Sequence, residues 1–311
     1  MKPLARNNSS LFASSCQPSF VIQRCLRTRL NTHQCQRCVE NCSAGALKVL
    51  DRKISFEPSQ CTSCMSCVAV CPQDALVSDF DIEKLLCSLH PARDVVISCV
   101  RQKQMNVDEI TIPCVGIFSK QLLTASLLRG CRSIFFQLSG CADCPNGEIS
   151  RAFKLTCQEL FDVLEDLHPS TVVFREKEEQ FTHHTMDRRA FLRKLRQLAG
   201  DISTNTLCFA PDSPPDDRAR SRRVPSKTAL IKKVLTNLDG DCQKTIIRLF
   251  AHSITLNDTC TCCPLCKGIC PTGAITVDRC TEGKRLNFAM LDCNGCGLCV
   301  EFCKNNAISL I

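Results

Sequence analysis

Apolar positions along the chain show two textures. Toward each end, short apolar runs recur, each opened by a small residue: "GALKV" at 45–49, "DALVS" at 74–78, "GAITV" at 273–277 and "NAISL" at 306–310. These read as short strands. "ALKVLDRKISF" and "AITVDRCTEGKRLNF" alternate about polar turns and predict hairpins. Between them, "DVVISCV" (94–100), "EITIPC" (109–114), "CRSIFFQLSGC" (131–141) and "TVVF" (171–174) predict strands. "KQLLTASLLRG" (120–130), with a glycine stop, and residues 149–165 carry helical spacing. Strands alternating with helices predict a small parallel α/β sheet, whereas the two ends read as repeats of each other. The expected architecture is therefore an α+β module at each end with a central α/β parallel-sheet domain. Boundaries fall at 20–80, 85–180, 181–249 (a basic linker with helices) and 250–311.

Cysteine changes the picture. The 311 residues include 28 cysteines, and Trp and Tyr are absent. A cysteine block precedes each terminal apolar run. Cys61, Cys64, Cys67 and Cys71 spell C-x2-C-x2-C-x3-C before Pro72, as do Cys260, Cys263, Cys266 and Cys270 before Pro271, and Cys293, Cys296, Cys299 and Cys303. This run is the ligand pattern of [4Fe–4S] proteins. In the earliest block Cys35, Cys38 and Cys42 are present, but Thr32 stands where the first cysteine belongs, and Cys25 is the nearest substitute. A fallback without Cys25 is a three-iron cluster or a labile fourth iron. Zinc normally takes two separated C-x2-C pairs rather than such triples, and thiols this close suit a cluster better than disulfides. Ser43 and Lys304 replace the usual proline. Gly268, Gly295 and Gly297 would let backbone approach the sulfur atoms.

Charge follows from this chemistry. The formal net charge is +8. Each [4Fe–4S]2+ core with four thiolates carries about −2, so four would offset that excess. The basicity therefore reads as counter-charge, and nucleic acid is not expected as a partner. No run of 18 apolar residues predicts a membrane span, and residues 1–19 lack a signal-peptide core. Thiolates holding iron call for a reducing compartment, expected to be the cytoplasm of an anaerobic prokaryote.

The terminal blocks resemble the bacterial two-cluster ferredoxin over roughly 50 to 60 residues at each end. In that family the fourth cysteine of each run ligates the other cluster. The resemblance implies four sets: Cys25, Cys35, Cys38 and Cys71; Cys42, Cys61, Cys64 and Cys67; Cys260, Cys263, Cys266 and Cys303; and Cys270, Cys293, Cys296 and Cys299. In the centre, "PCVG" at 113–116, the following helix, "LLRGCRSIFFQLSGC" at 127–141 and Cys144 resemble the delta (iron–sulfur) subunit of methyl-viologen-reducing hydrogenase. That family's domain carries a [2Fe–2S] cluster and passes electrons between a hydrogenase and a disulfide reductase. The resemblance implies a fifth cluster on Cys99, Cys114, Cys141 and Cys144; buried scaffold thiols are the other reading. All four fall at C-terminal strand ends, where open α/β sheets place their sites.

Cys16, Cys87, Cys131, Cys157, Cys208, Cys242, Cys262 and Cys280 are expected to be packing residues. "MDRRAFLRKL" at 186–195 reads as a basic amphipathic helix, and His183 and His184 as a solvated loop. No dinucleotide fingerprint, P-loop or hydrolase elbow occurs. The expected function is single-electron transfer by a subunit without catalytic residues of its own. Its partner would be a hydrogenase, a formate dehydrogenase or a heterodisulfide-reductase-like complex. Two other readings stay open: an enzyme reducing a substrate at the central cysteines, and a redox sensor.

Overall fold

The structure, a computed structural model, describes residues 17–102, 109–164, 167, 170–177, 222–281 and 283–311. Cys16, Cys208, the His183–His184 pair, the 186–195 segment and most of 211–223 lie outside these.

The central domain is built on four parallel strands: β5 (Asp94–Cys99), β6 (Ile110–Ile112), β7 (Ser133–Gln137) and β8 (Thr171–Arg175). Their spatial order is β6-β5-β7-β8, with Ile97 opposite Ile110, Val95 opposite Ile134 and Ile134 opposite Val172. Helix α5 (Lys120–Leu127) joins β6 to β7, and α6 (Gly147–Leu164) joins β7 to β8. Ser119 caps α5 by accepting the Leu122 N–H at 3.1 Å. Strand β5 is buried at four successive positions, as a strand covered on both faces must be. Phe136, fully buried, meets Phe118 edge-on at 5.4 Å and Phe153 at 4.8 Å, tying α6 to the sheet.

The two terminal modules share one plan. Near the N-terminus, β2 (Leu47–Leu50) pairs with β3 (Lys53–Phe56) as a hairpin, and β1 (Ser19–Phe20) pairs with β4 (Leu76–Val77). Near the C-terminus, β10 (Ile275–Cys280) pairs with β11 (Gly283–Phe288), and β9 (Ile254–Leu256) with β12 (Ile308–Leu310). The residue three beyond each block's last cysteine has positive φ: Gly45 (65°), Asp74 (48°), Gly273 (80°) and Asn306 (49°). Gly, Asp and Asn are the residues that tolerate this conformation. The turn swings the chain from the cysteine loop through an alanine into the strand that follows.

Helices α7 (Ser226–Leu235) and α8 (Gly240–Phe250) fall in the stretch expected to be a linker. Instead, Leu230, Ile231, Val234, Leu235 and Ile246 join the central core, and α7 packs against α5. Their 3.6-residue period places these apolar positions on one face, which the core covers. The modules hold much smaller cores, in which a few aliphatic residues pack with cysteines of the runs.

Candidate iron–sulfur sites

The local backbone is set to bring thiols together. Ser63 (φ 58°), Cys262 (49°) and Gly295 (65°) precede the second cysteine of the three regular runs in the same left-handed conformation. The Ser63 N–H donates to Cys61 Sγ and the Gly295 N–H to Cys293 Sγ, each at 3.5 Å. Beyond the fourth cysteines, the Ala75 N–H donates to Cys71 Sγ (3.2 Å) and the Ala307 N–H to Cys303 Sγ (3.3 Å). Such bonds favour the thiolate. Gly297 (φ 77°) leads into α10 (Leu298–Glu301). Gly268 departs from expectation: it sits inside helix α9 (Leu265–Ile269), not in the loop around the sulfur atoms.

Cys25, Cys35, Cys38 and Cys71 line one small cavity together with Phe20, Leu26, Ile54 and Leu76. Cys25 reaches it from the segment ahead of α1 (Leu26–Arg29), so the ten-residue step from Cys25 to Cys35 loops out and returns. Burial raises the Cys38 thiol to about 12, with added repulsion from Cys71, Cys35 and Cys25. Burial also raises Cys67, followed by the charges of Cys64, Cys61, Cys38 and Cys42. Cys61 rises through burial, Cys64 and Cys42, against the Ser63 N–H.

The C-terminal module repeats the crossing. Cys260, Cys263, Cys266 and Cys303 line a cavity with Leu286 and Ile308. Burial raises Cys296 to about 12 against the Leu298 N–H, with the charges of Cys270, Cys293 and Cys299 adding to it. Cys299 rises to about 11 through burial, Cys293 and Cys270.

In the centre, Cys99, Cys114, Cys141 and Cys144 line a third cavity with Arg101, Gln137 and Asn146. Burial raises Cys114 to about 12 against the Gly116 N–H, and Cys64, Cys99 and Cys141 raise it further. The sheet order explains the place. The chain runs outward from β5 to β6, then returns past β5 to β7. The carboxyl ends of β5 and β7 therefore flank the point of reversal, which is where open α/β sheets bind ligands.

These residues fit iron–sulfur clusters. Three sets place four soft thiol donors around a void, and the mutual repulsion of neighbouring thiolates is what a cationic metal core relieves. Among the described residues, no group of His, Cys, Asp or Glu is placed to hold a single metal ion. Arg27, which carried no signal in the sequence pattern, adds a second observation. It is 6% exposed, and its Nε donates to the Cys35 carbonyl at 2.5 Å. A buried cation bonded to carbonyl oxygens is suited by an anionic neighbour, which an all-thiolate cluster supplies. Among the remaining cysteines, Cys131 and Cys157 are fully buried, as packing predicts, but Cys87 is exposed.

Comparison with known proteins agrees at both ends. A family described as "4Fe-4S dicluster domain" matches residues 33–75, and one described as "4Fe-4S binding domain" matches 290–309. The chain carries 4Fe-4S ferredoxin-type domains near both ends. It is also similar to a subunit of the ion-translocating oxidoreductase complex of Methanosarcina acetivorans, at 40% identity over 42 residues. That match covers 14% of this chain and 16% of the relative, so the chain spans about a sixth of that protein's length. No solved structure gives a significant match. Among the described residues, no helix is long and apolar enough to cross a membrane.

Proposed function

We propose that this chain is an electron-transfer subunit that relays single electrons to or from a larger redox enzyme. The observation that carries the reading is the gathering of thiols in threes plus one, the fourth cysteine of a terminal run lying beside the neighbouring three. Cys25, Cys35, Cys38 and Cys71 would hold one [4Fe–4S] cluster and Cys42, Cys61, Cys64 and Cys67 a second. Cys260, Cys263, Cys266 and Cys303 would hold a third, and Cys270, Cys293, Cys296 and Cys299 a fourth. The cluster, when bound, supplies a one-electron couple whose potential depends on hydrogen bonds to sulfur and on solvent access.

The chain's own residues do the rest. They exclude water with Phe20, Leu76 and Ile308, donate N–H bonds to sulfur, and place cations near the thiols. The centre, by its likeness to the hydrogenase delta subunit, would hold a [2Fe–2S] cluster on Cys99, Cys114, Cys141 and Cys144. The partner is of the hydrogenase, formate dehydrogenase or heterodisulfide-reductase-like kind, in a reducing cytoplasm. The relative's membership of an oxidoreductase complex supports a multi-subunit setting.

Anaerobic reconstitution with iron and sulfide tests this directly. The expected content is about 16 iron atoms per chain in four-iron clusters, and about 18 with the central site filled. Tetrahedral zinc binding without visible absorbance, or turnover of a small substrate by the isolated chain, would overturn it.

A further inference from the structure

The five thiol sets stand in a row whose order in space differs from their order in sequence. We propose that electrons follow the spatial row, with the central set as one terminus rather than the link between the modules. This rests on the electron-transfer reading above and adds the path.

The first contact joins the centre to the N-terminal module. Gly116, two residues after Cys114, lies so close to the next loop that a Cβ would stand 2.3 Å from the Cys64 carbonyl and 2.6 Å from Ser66 Oγ. Thr62, between Cys61 and Cys64, accepts hydrogen bonds from Arg101 (3.0 Å) and Asn146 (3.2 Å), two residues that line the central cavity. The central set therefore abuts the set of Cys42, Cys61, Cys64 and Cys67. That set in turn shares its module with the set of Cys25, Cys35, Cys38 and Cys71.

The second contact joins the modules directly. Asn294, next to Cys293, donates from Nδ2 to the carbonyl of Pro72, next to Cys71, at 2.6 Å. Arg29 donates to the carbonyls of Ile269 (2.8 Å) and Cys270 (3.4 Å). Arg37, beside Cys38, donates to the Gly295 carbonyl at 3.5 Å. His33 meets Glu301 at 2.5 Å across the same junction. The contacts of Asn294, Arg29 and Arg37 touch the flanks of one set on each side: that containing Cys38 and Cys71, and that containing Cys270 and Cys293.

The row therefore runs from the central set through the two N-terminal sets, across Pro72–Asn294, and through the two C-terminal sets to Cys260, Cys263, Cys266 and Cys303. With clusters bound at these thiols, each hop would move one electron, lost by one site and gained by the next, with no bond made or broken. Arg29 and Asn294 are positioning residues for the middle hop. The two ends of the row are the places for donor and acceptor to dock.

The test uses the full chain, reconstituted anaerobically and reduced stepwise with dithionite. Low-temperature EPR reads spin–spin broadening between neighbouring reduced sites. Hydrogen exchange over residues 290–297 reads the junction independently of iron. Arg29→Ala/Asn294→Ala is expected to lose the broadening between the modules and the protection of 290–297, with iron content retained. Cys141→Ser/Cys144→Ser is expected to remove only the central signal, leaving the modules coupled. Loss of inter-module coupling in the central variant would place that set between the modules and overturn the row. Unchanged coupling and exchange in the junction variant would also overturn it. Failure of the unaltered chain to take up four-iron clusters would instead bring down the electron-transfer reading beneath it.

Discussion

The two terminal modules are the same device embedded differently. Their strand pairings match, and so do the left-handed turns after their fourth cysteines. The C-terminal module has the regular sequence, with two complete cysteine runs. The N-terminal one is irregular, with Cys25 set far ahead of Cys35. Yet the N-terminal module is the more heavily tied into the rest of the molecule. Its Cys64 and Val68 pack against the central core, and Met65 belongs to that core. Regular spacing thus measures how easily a site is read, and not how firmly its surroundings hold it. The family matches show the same inversion: the two-cluster description falls on the irregular module, over 33–75, and starts after Cys25.

The sharpest way to break the comparison is to remove the corresponding first cysteines. Cys25→Ser and Cys260→Ser are each expected to lower bound iron by about four atoms per chain, or by about one with a three-iron EPR signal. Equal losses make Cys25 the working equivalent of Cys260. Unchanged iron in Cys25→Ser would leave the N-terminal module with a three-thiol site and end the equivalence.

Asp74 and Gly273 occupy the same turn, and the next largest effect separates them. Asp74 is buried, accepts the Ser226 N–H at 2.6 Å and pairs with Arg223 (3.2 Å) and Lys227 (3.3 Å). Its carboxylate thereby sits at the N-terminus of α7, where the helix dipole favours it. Asp74→Ala is expected to cost about 2–3 kcal/mol, between a lost cap and a broken buried pair. Chemical denaturation followed through the α7–α5 packing would measure it. Gly273→Ala offers no such anchor to lose and is expected to cost about 1–2 kcal/mol for the left-handed backbone, with the new Cβ 3.3 Å from the flexible Arg222 side chain. Equal losses would dissolve the distinction.

These two tests mark where the sequence was readable. Spacing exposed the cysteine runs because C-x2-C-x2-C-x3-C is a local pattern, whereas the grouping of each fourth cysteine with the neighbouring three came from the resemblance to two-cluster ferredoxins. The period-2 and period-3.6 runs, local patterns too, exposed both hairpins and the parallel sheet. The packing of α7 into the core was hidden, because the charged residues of 181–223 drew the neighbouring amphipathic helix into a reading as linker. The bonds from Asp74 to Ser226 and from Asn294 to Pro72 join residues 152 and 222 positions apart. No periodicity encodes such pairs. Arg27 was hidden too, since its burial follows from the tertiary position of α1 and not from its neighbours in sequence.

Arg27 gives the finest distinction between the modules. Its guanidinium is held by the carbonyls of Cys35 (2.5 Å) and Arg52 (3.4 Å), beside the cavity of Cys25, Cys35, Cys38 and Cys71. A fixed cation stabilises the reduced, more negative state of a neighbouring cluster, so it raises that site's potential. Arg27→Gln keeps a hydrogen-bond donor and removes the charge. A unit-charge interaction of about 1 kcal/mol corresponds to roughly 40 mV for one electron, so the N-terminal potential is expected to fall by tens of millivolts. Redox titration followed by EPR, with iron content checked in parallel, would read the shift. The C-terminal signals should stay where they were. A shift of both modules together would mean that the charge acts through the whole molecule's field, and the two sites would then share one electrostatic environment despite their different embedding.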